Sequence, residues 1–314
     1  MRRLPFALVL LVAACGSTQP ADPYTNQAPT LMLDPAPAAG RGMQIVLEPV
    51  KDLQPGTSHE ICTWTDRILT EDVLVKSVKG FQTAFGHHVI LFSTKTYQPA
   101  GTTRECTDDD MATFRFAVGS KGEGDTNIAP GDLAYPIAKG SQIVLNHHYL
   151  NASLAVHSAQ SAVNIFYAEP GQPFTPSGSM AIVDTSLKIG TGAQTMDILC
   201  TFPRDFDAWS MIPHMHRWGV RETVDLITPA KTERLFDVAP WQDDFTFHPP
   251  EIARDPATPF AIKKGDQIKV HCELQNDTGK TLSFGAEMCV MFAQTVNRDG
   301  APNIACDGGE WTDF

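Results

Sequence analysis

Short apolar runs that alternate with polar residues, cut repeatedly by Gly, Pro, Asn and Asp, are what most constrain this chain. Examples are Gln44-Ile45-Val46-Leu47, His88-Val89-Ile90-Leu91-Phe92, Gln142-Ile143-Val144-Leu145 and Gln267-Ile268-Lys269-Val270. Strand side chains point alternately to two faces, so runs of this kind can bury one face of a sheet. No long window repeats at the helical period of about 3.6 residues. Short strands separated by turn signals predict an all-β sandwich fold.

The 314-residue chain opens with Arg2 and Arg3, then an apolar stretch from Leu4 to Ala14. That stretch is too short to span a bilayer and reads as an export signal. It ends Val12-Ala13-Ala14-Cys15, followed by Gly16, which resembles a bacterial lipobox. Residues 1–14 are therefore expected to be removed and Cys15 lipidated. The alternative is an ordinary export signal cut nearby, with Cys15 incidental. Residues 15–40 are rich in Pro and Ala and read as a tether. No later stretch is long and apolar enough to cross a membrane, so membrane contact is expected through the lipid alone, in the bacterial cell envelope, facing the periplasm or the surface.

A second composition break runs from Ala168-Glu169-Pro170-Gly171 to Pro176-Ser177-Gly178. It divides the body into an N-terminal half, 41–168, and a C-terminal half, 178–314, each of ordinary domain size. The phrases Ile137-Ala138-Lys139-Gly140-Ser141-Gln142-Ile143 and Ile262-Lys263-Lys264-Gly265-Asp266-Gln267-Ile268 lie near the ends of these halves. Each is a Lys-Gly turn entering a strand, as two related sandwiches would have. The formal net charge of −12 argues against nucleic acid as a partner, and a monomer is expected. With Cys15 assigned to lipid, Cys62, Cys106, Cys200, Cys272, Cys289 and Cys306 remain, an even count that implies three disulfides. The sequence leaves their pairing open, and the absence of any C-x-x-C argues against thiolate metal ligands.

Four short phrases concentrate metal-ligand chemistry: Gly86-His87-His88, Asn146-His147-His148-Tyr149, His214-Met215-His216 and Glu287-Met288-Cys289. On a strand, His214 and His216 would share a face and reach one metal. The adjacent His87 and His88 would point apart unless a bulge, strand end or loop intervened, and Gly86 is a residue that permits such a bend. Only one of His147 and His148 is expected to be a ligand. His59, His157, His248 and His271 are read as structural. Taken alone, each pair would be a surface or half-buried histidine and Met288 a core residue. Together, imidazoles with one thioether suit copper cycling between Cu(I) and Cu(II). Zinc rarely takes methionine, and calcium or magnesium would require carboxylates.

The order His-His, His-Tyr, His-x-His, Glu-Met-Cys resembles the copper type II, ascorbate-dependent monooxygenases, the peptidylglycine amidating and dopamine β-type enzymes. The resemblance runs from about Glu60 to Cys306 and includes Trp241-Gln242-Asp243-Asp244-Phe245 and the stretch from Gly265 to Cys272. It implies two tandem jelly-roll-like sandwiches, each binding one copper and facing a solvent-filled cleft. His87, His88 and His148 would form an electron-supplying site; His214, His216 and Met288 would form the catalytic, oxygen-activating one. Ascorbate or another reductant and O2 would serve as co-substrates for hydroxylating a C–H bond of a small-molecule or peptide-like substrate. The expected disulfides are Cys62–Cys106 enclosing His87-His88, Cys200–Cys306 stapling the second half, and Cys272–Cys289 beside Met288.

The chain also departs from the family. Ile212 stands where amidating enzymes carry an Arg that grips a peptide carboxylate, Phe292 where a Tyr is found, and Val290 at a position that is polar there. Loss of that bidentate contact argues against peptide amidation. Two other readings use the same ligands without turnover: a copper-binding or copper-delivering lipoprotein, and a structural surface lipoprotein with vestigial sites.

Overall fold

The structure, a computed structural model, describes residues 30–121, 124, 126–151, 153–246, 249–284, 286–297 and 303–313. The export signal, Cys15 and His248 lie outside the described residues. The regular structure of the described residues is almost entirely strand, with one short helix at Asp108–Thr113 and a 3-10 turn at Asp243–Thr246. The helix is set by a capping box between Thr107 and Asp110, and Asp110 is also held by Arg104.

Two jelly-roll-like β-sandwiches follow one another along the chain. In Gln267–Asn276 the alternation is clear: Ile268, Val270, Cys272 and Leu274 are buried, while Gln267, Lys269, His271 and Glu273 face outward. That strand lies in a four-stranded sheet between Gly192–Thr201 and Gly219–Ile227, with Thr232–Val238 at the edge. Its inner face meets Met180, Ile182, Met211 and Met291 from the opposing strands Thr175–Val183, Phe206–His214 and Val290–Val296. In the first sandwich, Gln142–Asn151 lies between Thr57–Ile68 and Gly86–Thr94 and is buried on both faces: Ile143 and Leu145 enter the main core, while Val144 packs with Cys62, Trp64, Phe92 and Phe114. Its core joins Val89, Leu91 and Leu145 to Val75, Leu133 and Val163 of the facing sheet.

The halves are not joined by a free linker alone. Leu133 and Ala134 pair in parallel with Thr175 and Pro176, so one sheet continues from the first sandwich into the second. The strand thus begins inside the composition break, at Thr175. Pro176 is tolerated there because it lies at the strand's start, where a missing N–H costs least. Trp209 and Val296, from the second half, also pack into the first core. The end of the expected tether is docked as well. Gln44 Nε2 donates to the Asp34 carbonyl at 3.0 Å, Asn164 Nδ2 to the Pro35 carbonyl at 3.1 Å, and Lys79 Nζ pairs with the Asp34 carboxylate at 2.6 Å. The three disulfides are Cys62–Cys106, Cys200–Cys306 and Cys272–Cys289, the pairing expected.

Candidate metal centres

Gly86–Thr94 pairs with Gln142–Asn151 so that His88 lies opposite His148, and Gly86 opposite Tyr149. His87 is the extra residue of a bulge between those pairs, which removes the strict alternation that would send neighbours to opposite faces. One nitrogen from each of His87, His88 and His148 lies within 4.8 Å of the others. The chain enters the bulge through Phe85, at φ 72°, whose ring stacks on His157 at 4.5 Å. Gly86 serves a different purpose from the expected bend. A Cβ there would fall 2.2 Å from Gln82 Cβ. The room it leaves lets Gln82 Nε2 reach the carbonyls of His88 at 3.1 Å and His148 at 3.3 Å, and Ser161 Oγ at 3.0 Å. One amide therefore ties together the strands that carry the histidines.

Hydrogen bonds decide which ring nitrogens face the cluster. Asn146 Nδ2 donates to Glu60 Oε1 at 3.0 Å, and a carboxylate only accepts, so the Asn146 amide orientation is fixed. Its Oδ1, 3.3 Å from His88 Nε2, then requires Nε2–H, which leaves Nδ1 of His88 with its lone pair. His148 Nε2 is engaged by Ser58 Oγ at 2.7 Å. His87 Nδ1 and His88 Nδ1 are 3.4 Å apart. Two nitrogens about 2.0–2.1 Å from one tetrahedral ion would lie about 3.3 Å apart, so this pair fits a common metal. His147 turns to the opposite face, fully buried, with Nε2 2.9 Å from Thr63 Oγ1 and Nδ1 3.0 Å from the Tyr149 hydroxyl. Both its nitrogens are committed to the core. His59, His157 and His271 bond to Glu105, Ser153 and Asp197 respectively.

The second set is built differently from a same-face strand pair. The strand Phe206–His214 stops at His214, so His216 lies on the turn beyond it. The two imidazole centroids are 5.0 Å apart with planes at 89°. Met215, between them, is buried in the core. A Cβ at Gly219 would come within 2.8 Å of Met215 Cε and 3.0 Å of Trp241 Cδ1, so glycine lets the turn close over that side chain. Glu287 holds the turn in place. Its Oε1 accepts from the backbone N–H of His216 at 2.5 Å and of Met288 at 2.8 Å, and its Oε2 from that of Trp218 at 2.8 Å. Met288 is then followed by Cys289, tied to Cys272, and by Val290, which pairs with His214. These contacts fix the Met288 backbone at the His214 end of the sheet. His216 Nδ1 donates to the Ala286 carbonyl at 3.3 Å, leaving Nε2 as the donor atom for a metal.

Two of these histidines, His148 and His214, are held neutral. Burial, then the charges of His88, His87, His216 and His59, push His148 down to about 2. Burial, then His216 and His88, push His214 down to about 3. The charge of each cluster is felt at the other, and His148 and His214 keep lone pairs available to a metal near neutral pH. Behind the second set, Glu222 is fully buried on Gly219–Ile227. Burial raises its carboxyl well above the ordinary range; the His214 backbone pulls the other way and Glu287 adds to the rise.

Glu287 and Asn146 stand within the ligand phrases of the sequence without a role assigned there, whereas Gln82 and Glu222 lie outside those phrases. The available signal for Glu287 was an acid set among Ala286, Met288 and Cys289, where only a hydrogen-bonded carboxylate is tolerated in burial.

No protein-family model matches the chain, and no curated protein matches it. Among solved structures, the chain is similar to the crystal structure of the PBSX exported protein XepA, at 10% identity and TM-score 0.23, over 81% of this chain and 86% of that one. It is also similar to a triple jelly-roll protein of an archaeal virus, at 7% identity and TM-score 0.18, over 83% and 61% of the two chains. A structure of infectious bursal disease virus Gx strain matches at 8% identity and TM-score 0.20, over 91% and 77%. Likenesses this slight carry no inference about function.

Proposed function

We propose that this chain is a copper-dependent monooxygenase of the bacterial cell envelope, anchored through lipid on Cys15, with a metal at each histidine set. The observation that carries the reading is the convergence of His87, His88 and His148 within 4.8 Å, with the far nitrogens of His88 and His148 engaged by Asn146 and Ser58. Such outer partners fix the tautomer and orientation of ligand imidazoles. Copper bound there and at His214, His216 and Met288 supplies one-electron redox chemistry at two centres. The overall reaction consumes R–H, O2, two electrons and two protons and yields R–OH and water, with ascorbate or an equivalent reductant supplying the electrons.

The chain's own residues keep the two donor sets rigid. Asn146, fixed by Glu60, presents His88 through Nδ1; Ser58 orients His148; Gln82 clamps the two backbones. Glu287 holds the N–H groups of His216, Trp218 and Met288, and Cys272–Cys289 secures the following residue. This preorganisation holds the donor nitrogens in place before any metal arrives.

The test is copper stoichiometry together with reductant-driven oxygen uptake coupled to a hydroxylated product. The expected result is close to two coppers per chain, falling towards one in His214→Ala, and turnover that Met288→His largely removes while copper remains bound. Full activity in Met288→Ala would refute the assignment. Copper binding without substrate-linked oxygen uptake would assign the chain to copper carriage instead.

A further inference from the structure

The first sandwich holds a recess at the end of its sheets away from the histidines. The strand Thr57–Ile68 spans the distance: Ser58 engages His148 near one end, and Ile68 lines the recess at the other. Ten residues of strand cover about 30 Å, so the recess is remote from the first metal set. Its volume is about 240 Å³. The floor is an uncovered edge of the first core, to which Leu69 and Val73 belong and against which Met43 and Tyr167 pack. Tyr167 joins that floor through a shift in register: Phe166 pairs with Ser77 but Tyr167 with Val75, so the pairing skips Lys76. Val75 points into the core, and a directly paired residue shares its face. Lys76 turns away, its Nζ donating to the carbonyls of Ala129 at 2.6 Å, Gly131 at 2.8 Å and Leu133 at 2.9 Å.

Charge around this floor is unbalanced. Its lining carries two carboxylates, Asp66 and Glu71, against one guanidinium, Arg67. Arg67 Nε lies 3.2 Å from Asp66 Oδ1, so the cation is already engaged. Arg41, whose carbonyl accepts from the Tyr167 N–H, is itself paired with Glu169 and adds no net charge. Glu71 is left over, with no ion pair to any described residue. Burial, then the charge of Glu71, raise the Tyr167 phenol above its ordinary range, which sets that carboxylate beside the ring. A carboxylate ligand would add a third negative charge to this lining. A neutral one would cover the floor and leave Glu71 unanswered. A cation with an apolar body satisfies both, because the body removes Leu69, Val73 and Met43 from water while the charge meets Glu71 and the face of Tyr167.

We propose that this recess is a binding site for a small organic monocation, an ammonium on a compact apolar body, with Glu71 and the Tyr167 ring receiving its charge. No residue of either metal set contributes to it, so binding is measured on the full chain both without and with copper. Calorimetric titration with cyclohexylmethylammonium, cyclohexylmethanol and cyclohexanecarboxylate compares similar skeletons in three charge states. Neutral pH and low ionic strength are used, because salt screens exposed carboxylates.

The ammonium should bind about tenfold more tightly than the alcohol, with the carboxylate weakest, whether or not copper is present. Glu71→Gln should weaken the ammonium by about threefold to fivefold, the value of one exposed ion pair, and leave the alcohol unchanged. Glu71 is exposed, so this variant should keep the wild-type Tm, which is measured alongside. Asp66→Asn combined with Glu71→Gln leaves Arg67 as the one charge of the lining and should turn the preference towards the carboxylate. Equal or tighter binding of the alcohol or the carboxylate by the wild type, or no binding of any probe, would overturn the site. So would an ammonium preference that survives the double substitution, or binding that appears only with copper.

Discussion

Replacing Glu287 tests the physical account of the second site most directly. The carboxylate is buried and receives three backbone N–H groups, from His216, Met288 and Trp218. A net intramolecular hydrogen bond is worth about 1 kcal/mol, and a buried donor left unpaired costs about 1–3 kcal/mol. His216, Trp218 and Met288 are only half-buried, so water would replace part of what is lost. Burial also raises the Glu287 pKa, so removing the carboxyl relieves some desolvation. These terms give a loss of about 3 kcal/mol for Glu287→Ala. Glu287→Gln keeps an oxygen for His216 and Met288 but sets an amide N–H against the Trp218 N–H, so it should lose about 1–2 kcal/mol. Urea unfolding at neutral pH measures both, and copper titration should show the second metal weakened in the Ala variant while the first is retained. An Ala variant within about 1 kcal/mol of wild type, or a Gln variant as damaged as Ala, would refute the three-donor account.

Gly86→Ala should destabilise the chain by about 2–3 kcal/mol and displace the first metal, because its Cβ would fall 2.2 Å from Gln82 Cβ; an unchanged urea midpoint would show that the strands yield freely. Asn146→Leu should weaken copper at the first site without unfolding the chain, since the oxygen that accepts from His88 Nε2 and presents its Nδ1 would be lost; unchanged affinity at that site would count against the tautomer argument. Glu222 is raised well above its ordinary 4.5 in the folded chain, so the folded state keeps a proton that the unfolded chain releases. Its stabilising contribution is therefore complete below that value and is lost as pH rises through the folded pKa. Glu222→Gln should gain on wild type in urea midpoint from pH 4.5 upward, and parallel pH profiles would contradict the shift.

How much was legible in the sequence followed from the range of the interactions involved. Alternation over a few residues is local, so strands such as Gln267–Asn276 were visible from their text alone. The need for a bulge at His87-His88 was also visible, because strand geometry forbids two neighbours on one face. Its cause was not. Gly86 is required by Gln82, whose amide spans two strands distant in sequence, and the left-handed residue is Phe85, which no propensity marks for that conformation. The His-x-His phrase misled for the same reason. The spacing suits a strand, but whether the strand reaches the second histidine depends on Glu287, 71 residues further on. The composition break read as a linker because Pro and Gly are local signals. The parallel pairing of Leu133 with Thr175 that carries a sheet across it is a tertiary event. What chemistry-bearing residues can announce is which atoms are available to a ligand. Which of them converge is set by acids and amides that bond to backbone, and those look in sequence like any other polar residue.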